Sequence, residues 1–101
     1  MSELTVRREE GRGRYEAYLG DEQVGVADFV EVGGSGDVGD AVVLPHVEVA
    51  PRHQGQGYAS QLTRATLDDL RARGVTRIVP QCPYVRAWVG KHPDYQDLVG
   101  S

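Results

Sequence analysis

The chain has 101 residues, of which 40% are hydrophobic and 26% charged, with a net charge of −4 at pH 7 and a single cysteine. That length supports one core, hence a single domain over residues 1–101, and the apolar-to-charged balance is that of a globular domain rather than a disordered segment. No apolar run approaches the roughly 20 residues that span a bilayer, one cysteine builds neither a disulfide nor a cysteine zinc cage, and an acidic balance disfavours nucleic acid held by bulk charge.

The opening stretch, residues 1–10, is polar and unlike a secretory leader, so the expected setting is the cytoplasm, away from membranes. Leu4 to Arg8 alternates as a short strand, and Gly11-Arg12-Gly13 supplies a turn. Tyr15, Ala17 and Leu19 alternate with Glu16 and Tyr18, the period of a half-buried strand, and Gly20 to Gln23 reads as a hairpin turn. Val24 to Val32 is the next strand, closed by the loop Gly33-Gly34-Ser35-Gly36-Asp37. Ala41 to Val49 is the most apolar strand, a pattern that predicts burial on both faces.

After Pro51 the character changes. Ala59, Leu62, Ala65, Thr66 and Leu70 recur at spacings of three and four, which predicts a helix from Tyr58 to Arg73 with Gly74 as its stop. Val75 to Pro80 reads as a strand reached by a crossover helix, hence parallel to the one before it. Tyr84 to Lys91 reads as a short helix ending before His92-Pro93, and Asp94 to Ser101 as a packed tail. The expected fold is α+β with the order β-β-β-β-α-β-α, an antiparallel meander followed by one β-α-β unit in a mixed sheet.

A strand, then Gln54-Gly55-Gln56-Gly57, then a helix is an arrangement that binds anions. Glycines let the backbone approach a phosphate, and the amides of a first helical turn point at it. The spacing discriminates among ligands. A Walker A loop needs four residues between its glycines and then Lys-Ser or Lys-Thr, which are missing here. A dinucleotide fingerprint needs a third glycine where Ser60 stands, and an acid on the following strand, where Thr76 to Pro80 has none.

Arg52-His53-Gln54-Gly55-Gln56-Gly57 matches Arg/Gln-x-x-Gly-x-Gly/Ala, and so resembles the acetyl-CoA pyrophosphate loop of the GNAT N-acetyltransferase superfamily. Together with His46-Val47-Glu48-Val49, Cys82-Pro83-Tyr84 and His92-Pro93-Asp94-Tyr95, it resembles the small, minimal branch of about this length, over Leu4 to Val99. The resemblance implies a GNAT-like sheet that binds acetyl-CoA; three scattered histidines and one cysteine lack the ligand spacing of a metal site, so no metal is expected. The resemblance also implies pyrophosphate on the amides of Gln54, Gly55, Gln56, Gly57, Tyr58 and Ala59 and pantetheine beside Val49. Arg52, which opens the loop, is the cation best placed to meet the phosphates at the rim, although solvated surface charge is the commoner fate of such a residue. Two helices after the first strand and two final strands of larger superfamily members have no counterpart. These elements shape much of the acceptor site, so the amine acceptor, a small molecule or a peptide, stays open.

Cys82 ends the strand after the main helix, where ligands of open parallel sheets sit, and the resemblance implies that it faces the acetyl group. As a thiolate it could accept the acetyl group, as an acid it could protonate the departing thiolate, and a small buried residue is the third reading. His46 could take a proton from an amine or assist Cys82, or sit hydrogen-bonded at the sheet surface. Glu48 shares its face in an unbulged strand and is the alternative base, while a bulge there, as in the wider superfamily, would alter the facing. Tyr84, two residues past Cys82, could donate to the leaving thiolate, as tyrosines of the superfamily often do, or be a core aromatic, and the core is the preferred reading. Arg86 and Lys91 are further rim cations, and His53 and His92 read as loop residues. The expected activity is N-acetyl transfer by a monomer or weak dimer. The alternative is a non-catalytic CoA-binding or interaction module that keeps the loop.

Overall fold

The computed structural model describes residues 4–32 and 41–99, so the predicted 33–37 loop lies outside the described residues. Five strands, β1 (Leu4–Glu9), β2 (Arg14–Leu19), β3 (Glu22–Val32), β4 (Ala41–Val49) and β5 (Arg77–Pro80), form one sheet in sequence order. The first four pair antiparallel and β5 lies parallel to β4. The helices are α1 (Tyr58–Ala72), α2 (Pro83–Gly90) and a short α3 (Gln96–Val99). This is the expected α+β mixed sheet, with one helical turn more than expected because Tyr95 and Leu98 anchor the tail in the core.

β1 passes to β2 through one 3-10 turn, Glu10–Arg12, and Gly13 in the left-handed region at φ 66°. The β5 start moves from the expected Val75 to Arg77, since Val75 belongs to the end of α1. Gly74, at φ 88°, donates to Arg71 and Val75 donates to the Leu70 carbonyl at 3.0 Å, the helix-ending pair that a left-handed glycine permits.

β4 departs from the expected burial on both faces. Val42 and Leu44 are buried while their neighbours are not, and beyond Pro45 the phase switches so that Val49 is buried. The register explains the switch: Val30 pairs with Val43 but Asp28 pairs with His46, so Leu44 and Pro45 together face Phe29. Such a bulge suits Pro45, which has no N–H to give to a ladder. His46 and Glu48 both follow the bulge and therefore stay on one face.

α1 buries Leu62, Thr63, Thr66, Leu67 and Leu70 against the strands, and α2 buries Val85, Trp88 and Val89. Polar anchors tie the layers: Tyr15 donates to Asp69 on α1 at 2.6 Å, Trp88 Nε1 donates to Ser60 Oγ at 2.8 Å, and Tyr95 donates to Asp68 at 2.7 Å. Burial and the Asp69 bond push the Tyr15 phenol up to about 12, so it stays a donor at neutral pH. No helix among the described residues is long and apolar enough to cross a membrane.

Candidate active site

The glycine turn is built from both sides. After β4, Ala50 donates to the Val24 carbonyl at 2.8 Å, and Pro51 opens a 3-10 turn over Pro51–His53. The Gln54 side-chain amide reaches back to the Val49 carbonyl at 3.0 Å, pinning the loop to the strand it leaves. Gly55 and Gly57 both have φ 83°, a conformation that a Cβ disfavours. A Cβ built on either would meet nothing within 4 Å, so the space above them is open.

Gly57 is also the N-cap of α1 and brings no side chain to it. The first internal bond of the helix runs from Gln61 N–H to the Gly57 carbonyl at 3.1 Å, so the amides of the first turn point outward. That turn contains no acidic residue. The positive end of the helix dipole therefore meets no local carboxylate, and the site suits an anion.

A cavity of about 230 Å³ opens over this turn. Val49, Gln54, Gly55, Gly57, Tyr58 and Ala59 line it, together with His53, Ser60 and Tyr84. Gln56 stands exposed on the turn outside that lining. Arg52 also lies outside it, its guanidinium donating to the Glu22 carboxylate, which accepts from His53 Nε2 as well, at 3.0 Å. A larger hollow of about 550 Å³ between α2, α3 and the end of β5 has no glycine turn, and the first turn of the short α3 that borders it carries the acidic Asp97.

Beside the loop the sheet splits. β4–β5 pairing ends at Leu44 with Pro80, and Cys82 N–H donates to the Leu44 carbonyl at 3.0 Å. β4 runs on to Val49 with no β5 residue paired to it. The gap has the glycine turn at one end and Cys82-Pro83-Tyr84 at the other.

Cys82 is 5% exposed, within the core cluster, and makes no side-chain cap to α2. Tyr84 is 39% exposed, which corrects the expectation of a core aromatic. Pro83 starts α2 one residue earlier than predicted, and Val85, Trp88 and Val89 take the inward positions, leaving Tyr84 facing the cavity. Burial pushes the Tyr84 phenol up, Ser60 opposes this by hydrogen-bonding to it, and nearby Cys82 adds to the rise.

His46 lies on the exposed side of β4, its Nε2 bonded to Glu48 Oε1 at 2.9 Å. The two are cross-strand neighbours of Asp28 and Val26. Among the described residues His46 makes no hydrogen bond with Cys82, so the structure joins His46 with Glu48, and Cys82 with Tyr84. The other proposed rim cations do not reach the loop: Arg86 donates to the Pro80 and Gln81 carbonyls at 3.3 and 3.2 Å, and Lys91 closes α2 in the open. His92 stacks on Trp88 with ring centres 3.7 Å apart. No group of three or more His, Cys, Asp or Glu among the described residues could hold a metal ion.

The family model for GCN5-related N-acetyltransferases matches residues 14–98. The chain belongs to that family. Its fold is similar to that of solved acetyltransferase structures. The ribosomal-protein-alanine N-acetyltransferase of Brucella melitensis biovar Abortus 2308 matches with a TM-score of 0.62 at 20% identity, over 87% of this chain and 61% of that one. The aminoglycoside acetyltransferase meta-AAC0020 from an uncultured soil metagenomic sample, in complex with sisomicin, matches with a TM-score of 0.62 at 17% identity, over 80% of this chain and 53% of that one. The same enzyme in complex with trehalose matches with a TM-score of 0.63 at 15% identity, over 100% and 73%. This chain thus spans about three-fifths of the first structure's length. No curated protein matches it.

Sequence spacing pointed to the loop, because its glycines are local. It did not single out Ser60 and Glu22. Ser60 is recognised through Trp88, and Glu22 through Arg52 and His53, partners about 30 positions away that only the folded sheet brings near.

Proposed function

We propose that this GCN5-related chain is an acetyl-CoA-dependent N-acetyltransferase of the small, minimal kind, its catalytic domain filling residues 1–101. One observation carries the reading: a turn whose Gly55 and Gly57 leave the space above them open delivers the first-turn amides of α1 into a cavity at the mouth of the β4–β5 gap. Pyrophosphate rests on the amides of Gln54 to Ala59, with Gln56 taking part through its backbone alone. Pantetheine runs along the unpaired edge of β4 beside Val49, and the thioester comes to Cys82. The direct β1–β2 turn supports the minimal assignment, as do Cys82-Pro83-Tyr84 and His92-Pro93-Asp94-Tyr95.

In the transfer, the Cys82 sulfur attacks the thioester carbonyl. A new sulfur–carbon bond forms as the bond to the CoA sulfur breaks; the thiol proton of Cys82 passes to Tyr84 while Tyr84 hands its phenolic proton to the departing thiolate, which leaves as free CoA. An amine then displaces Cys82 from the acetyl group, the amine proton passes to the His46–Glu48 pair, and the Cys82 thiolate recovers its proton from solvent as the pair gives one up. Where Cys82 acts instead as an acid, the amine attacks the thioester directly and Cys82 protonates the CoA sulfur. The acceptor is an amine on a small molecule or a peptide. The names of the structural neighbours, a ribosomal-protein-alanine N-acetyltransferase and an aminoglycoside acetyltransferase, cover both kinds. We assign the work to a monomer or weak dimer in the cytoplasm.

A second reading, a CoA-binding module without turnover, draws on Cys82 being 5% exposed and outside the cavity lining, and on His46 lying apart from it. Intact mass separates the two. After exposure to acetyl-CoA the wild-type chain is expected to carry one acetyl adduct that Cys82→Ala lacks. Saturable acetyl-CoA binding with neither an adduct nor acetylation of any member of an amine panel establishes the second reading.

A further inference from the structure

The cavity over the glycine turn carries little charge of its own. Around it stand backbone amides, small and aliphatic side chains, two tyrosines, and one group able to hold a positive charge, His53. Arg52, the cation nearest the loop in sequence, points elsewhere. Both are engaged by one acid: Glu22 Oε2 accepts from Arg52 Nη2 and from His53 Nε2, the latter at 3.0 Å.

The contact follows from the sheet. The antiparallel register pairs Gly25 with Val49, and the Ala50–Val24 bond extends that register one step further, so the start of β3 lies beside the 3-10 turn Pro51–His53. Glu22 sits at that start, with 44% of its side chain exposed. The Arg52 side chain is 73% exposed, so no packing fixes it to Glu22 rather than to another anion. His53 is only 18% exposed, with its ring near Tyr58 at the cavity wall. The His53 bond, and then the Arg52 charge, hold the Glu22 carboxyl below the usual range against the effect of its burial, so Glu22 is an anion at neutral pH.

We propose that Glu22 sets the affinity of the loop for its phosphate ligand by competing with the ligand's phosphates for Arg52 and His53. The inference rests on the CoA reading given above. With Glu22 in place, the Arg52 charge is neutralised locally, the His53 ring is held by its hydrogen bond, and binding depends on the amides. Phosphates entering the cavity meet the Glu22 charge and must draw Arg52 away from it. Replacing the carboxylate by an amide removes one like charge and loosens the hold on Arg52 and His53. At about one Debye length, with an effective dielectric constant of about 40, a unit charge changes the interaction with each phosphate charge about 1.8-fold, so a ligand with two to four such charges gains about three- to tenfold.

The test is calorimetric titration of wild type and Glu22→Gln with CoA, dephospho-CoA and pantetheine at low and high salt. The expected result is that Glu22→Gln binds CoA about three- to tenfold more tightly than wild type. The gain should be smaller for dephospho-CoA, vanish for uncharged pantetheine and shrink in high salt. In an Arg52→Gln background the gain from Glu22→Gln should fall, because the two residues act as a coupled pair. Wild-type binding with an unchanged Glu22→Gln overturns this inference and leaves the CoA reading standing. Weaker binding by Glu22→Gln also overturns it, showing that Glu22 holds Arg52 and His53 in place for the ligand. Failure of the wild-type chain to bind CoA at all overturns the cofactor reading, and this inference with it. An equal gain for pantetheine points to a structural change rather than charge competition and overturns it too.

Discussion

Gly57→Ala is expected to weaken acetyl-CoA binding by about a hundredfold while leaving the fold intact. Gly57 has φ 83° and is the N-cap from which α1 starts. A Cβ there meets no protein atom within 4 Å, so the native packing does not resist it. The cost to the free protein is the backbone strain alone, about 1–2 kcal/mol. In the proposed binding mode the same Cβ enters the space that phosphate oxygens would take over the first-turn amides, and relaxing the strain rotates those amides. A hydrogen bond to a charged group contributes about 1.5–3 kcal/mol, so losing one or two gives about the stated loss. Gly74→Ala is the control, since Gly74 has φ 88° at the opposite end of the same helix and its Cβ also meets open space. It should cost similar stability and leave acetyl-CoA affinity unchanged. Equal affinity of Gly57→Ala and wild type in calorimetric titration would remove the loop from the binding site.

The second large effect is on stability. Gly25→Ala is expected to destabilise the chain by about 2–3 kcal/mol, at the upper end of overpacking costs, and to lower the melting temperature by about 10–20 °C. A Cβ on Gly25 falls 2.8 Å from the Glu48 carbonyl oxygen, 3.3 Å from Val49 Cγ2 and 3.5 Å from Leu62 Cδ2. The first neighbour is backbone and cannot rotate away, so β4 itself must shift just where it feeds the loop. The same substitution should therefore weaken acetyl-CoA binding by the folded protein. Leu67→Ala separates the two effects. Leu67 is fully buried on α1 away from the first turn, and its loss costs about 2–5 kcal/mol through the cavity left behind. That variant should lose stability without losing affinity. Denaturant unfolding and titration at low temperature read both quantities. Wild-type stability of Gly25→Ala would mean that β3 and β4 are not in the contact described.

Much of this was legible along the chain because the signals were local. The alternation of Tyr15, Ala17 and Leu19 and the three-and-four spacing on α1 each lie within one element, and the meander with one crossover follows from their order. The glycines of the turn were legible for the same reason, since their left-handed angles are needed within four residues. The β4 bulge was not, because Val42 to Val49 is apolar enough to suit either facing, and only pairing with Asp28 and Val30 fixes it. Tyr84 read as a core aromatic because its side depends on where Pro83 starts α2. Arg52 read as a phosphate contact from its place before the loop, and the sheet register instead brings it Glu22. Long-range register, rather than residue type, separates what the sequence showed from what it did not.

The central claim is that acetyl-CoA binds on the glycine turn and reaches along β4 to Cys82. The most direct test is an acetyl-CoA titration of the isotopically labelled chain followed by backbone amide shifts. Saturable shifts are expected, largest at Gln54 to Ala59, then at Val49, Cys82 and Tyr84, with β1 and the far end of β2 unmoved. Absence of saturable shifts at millimolar acetyl-CoA, or shifts confined to the hollow between α2, α3 and β5, would contradict it.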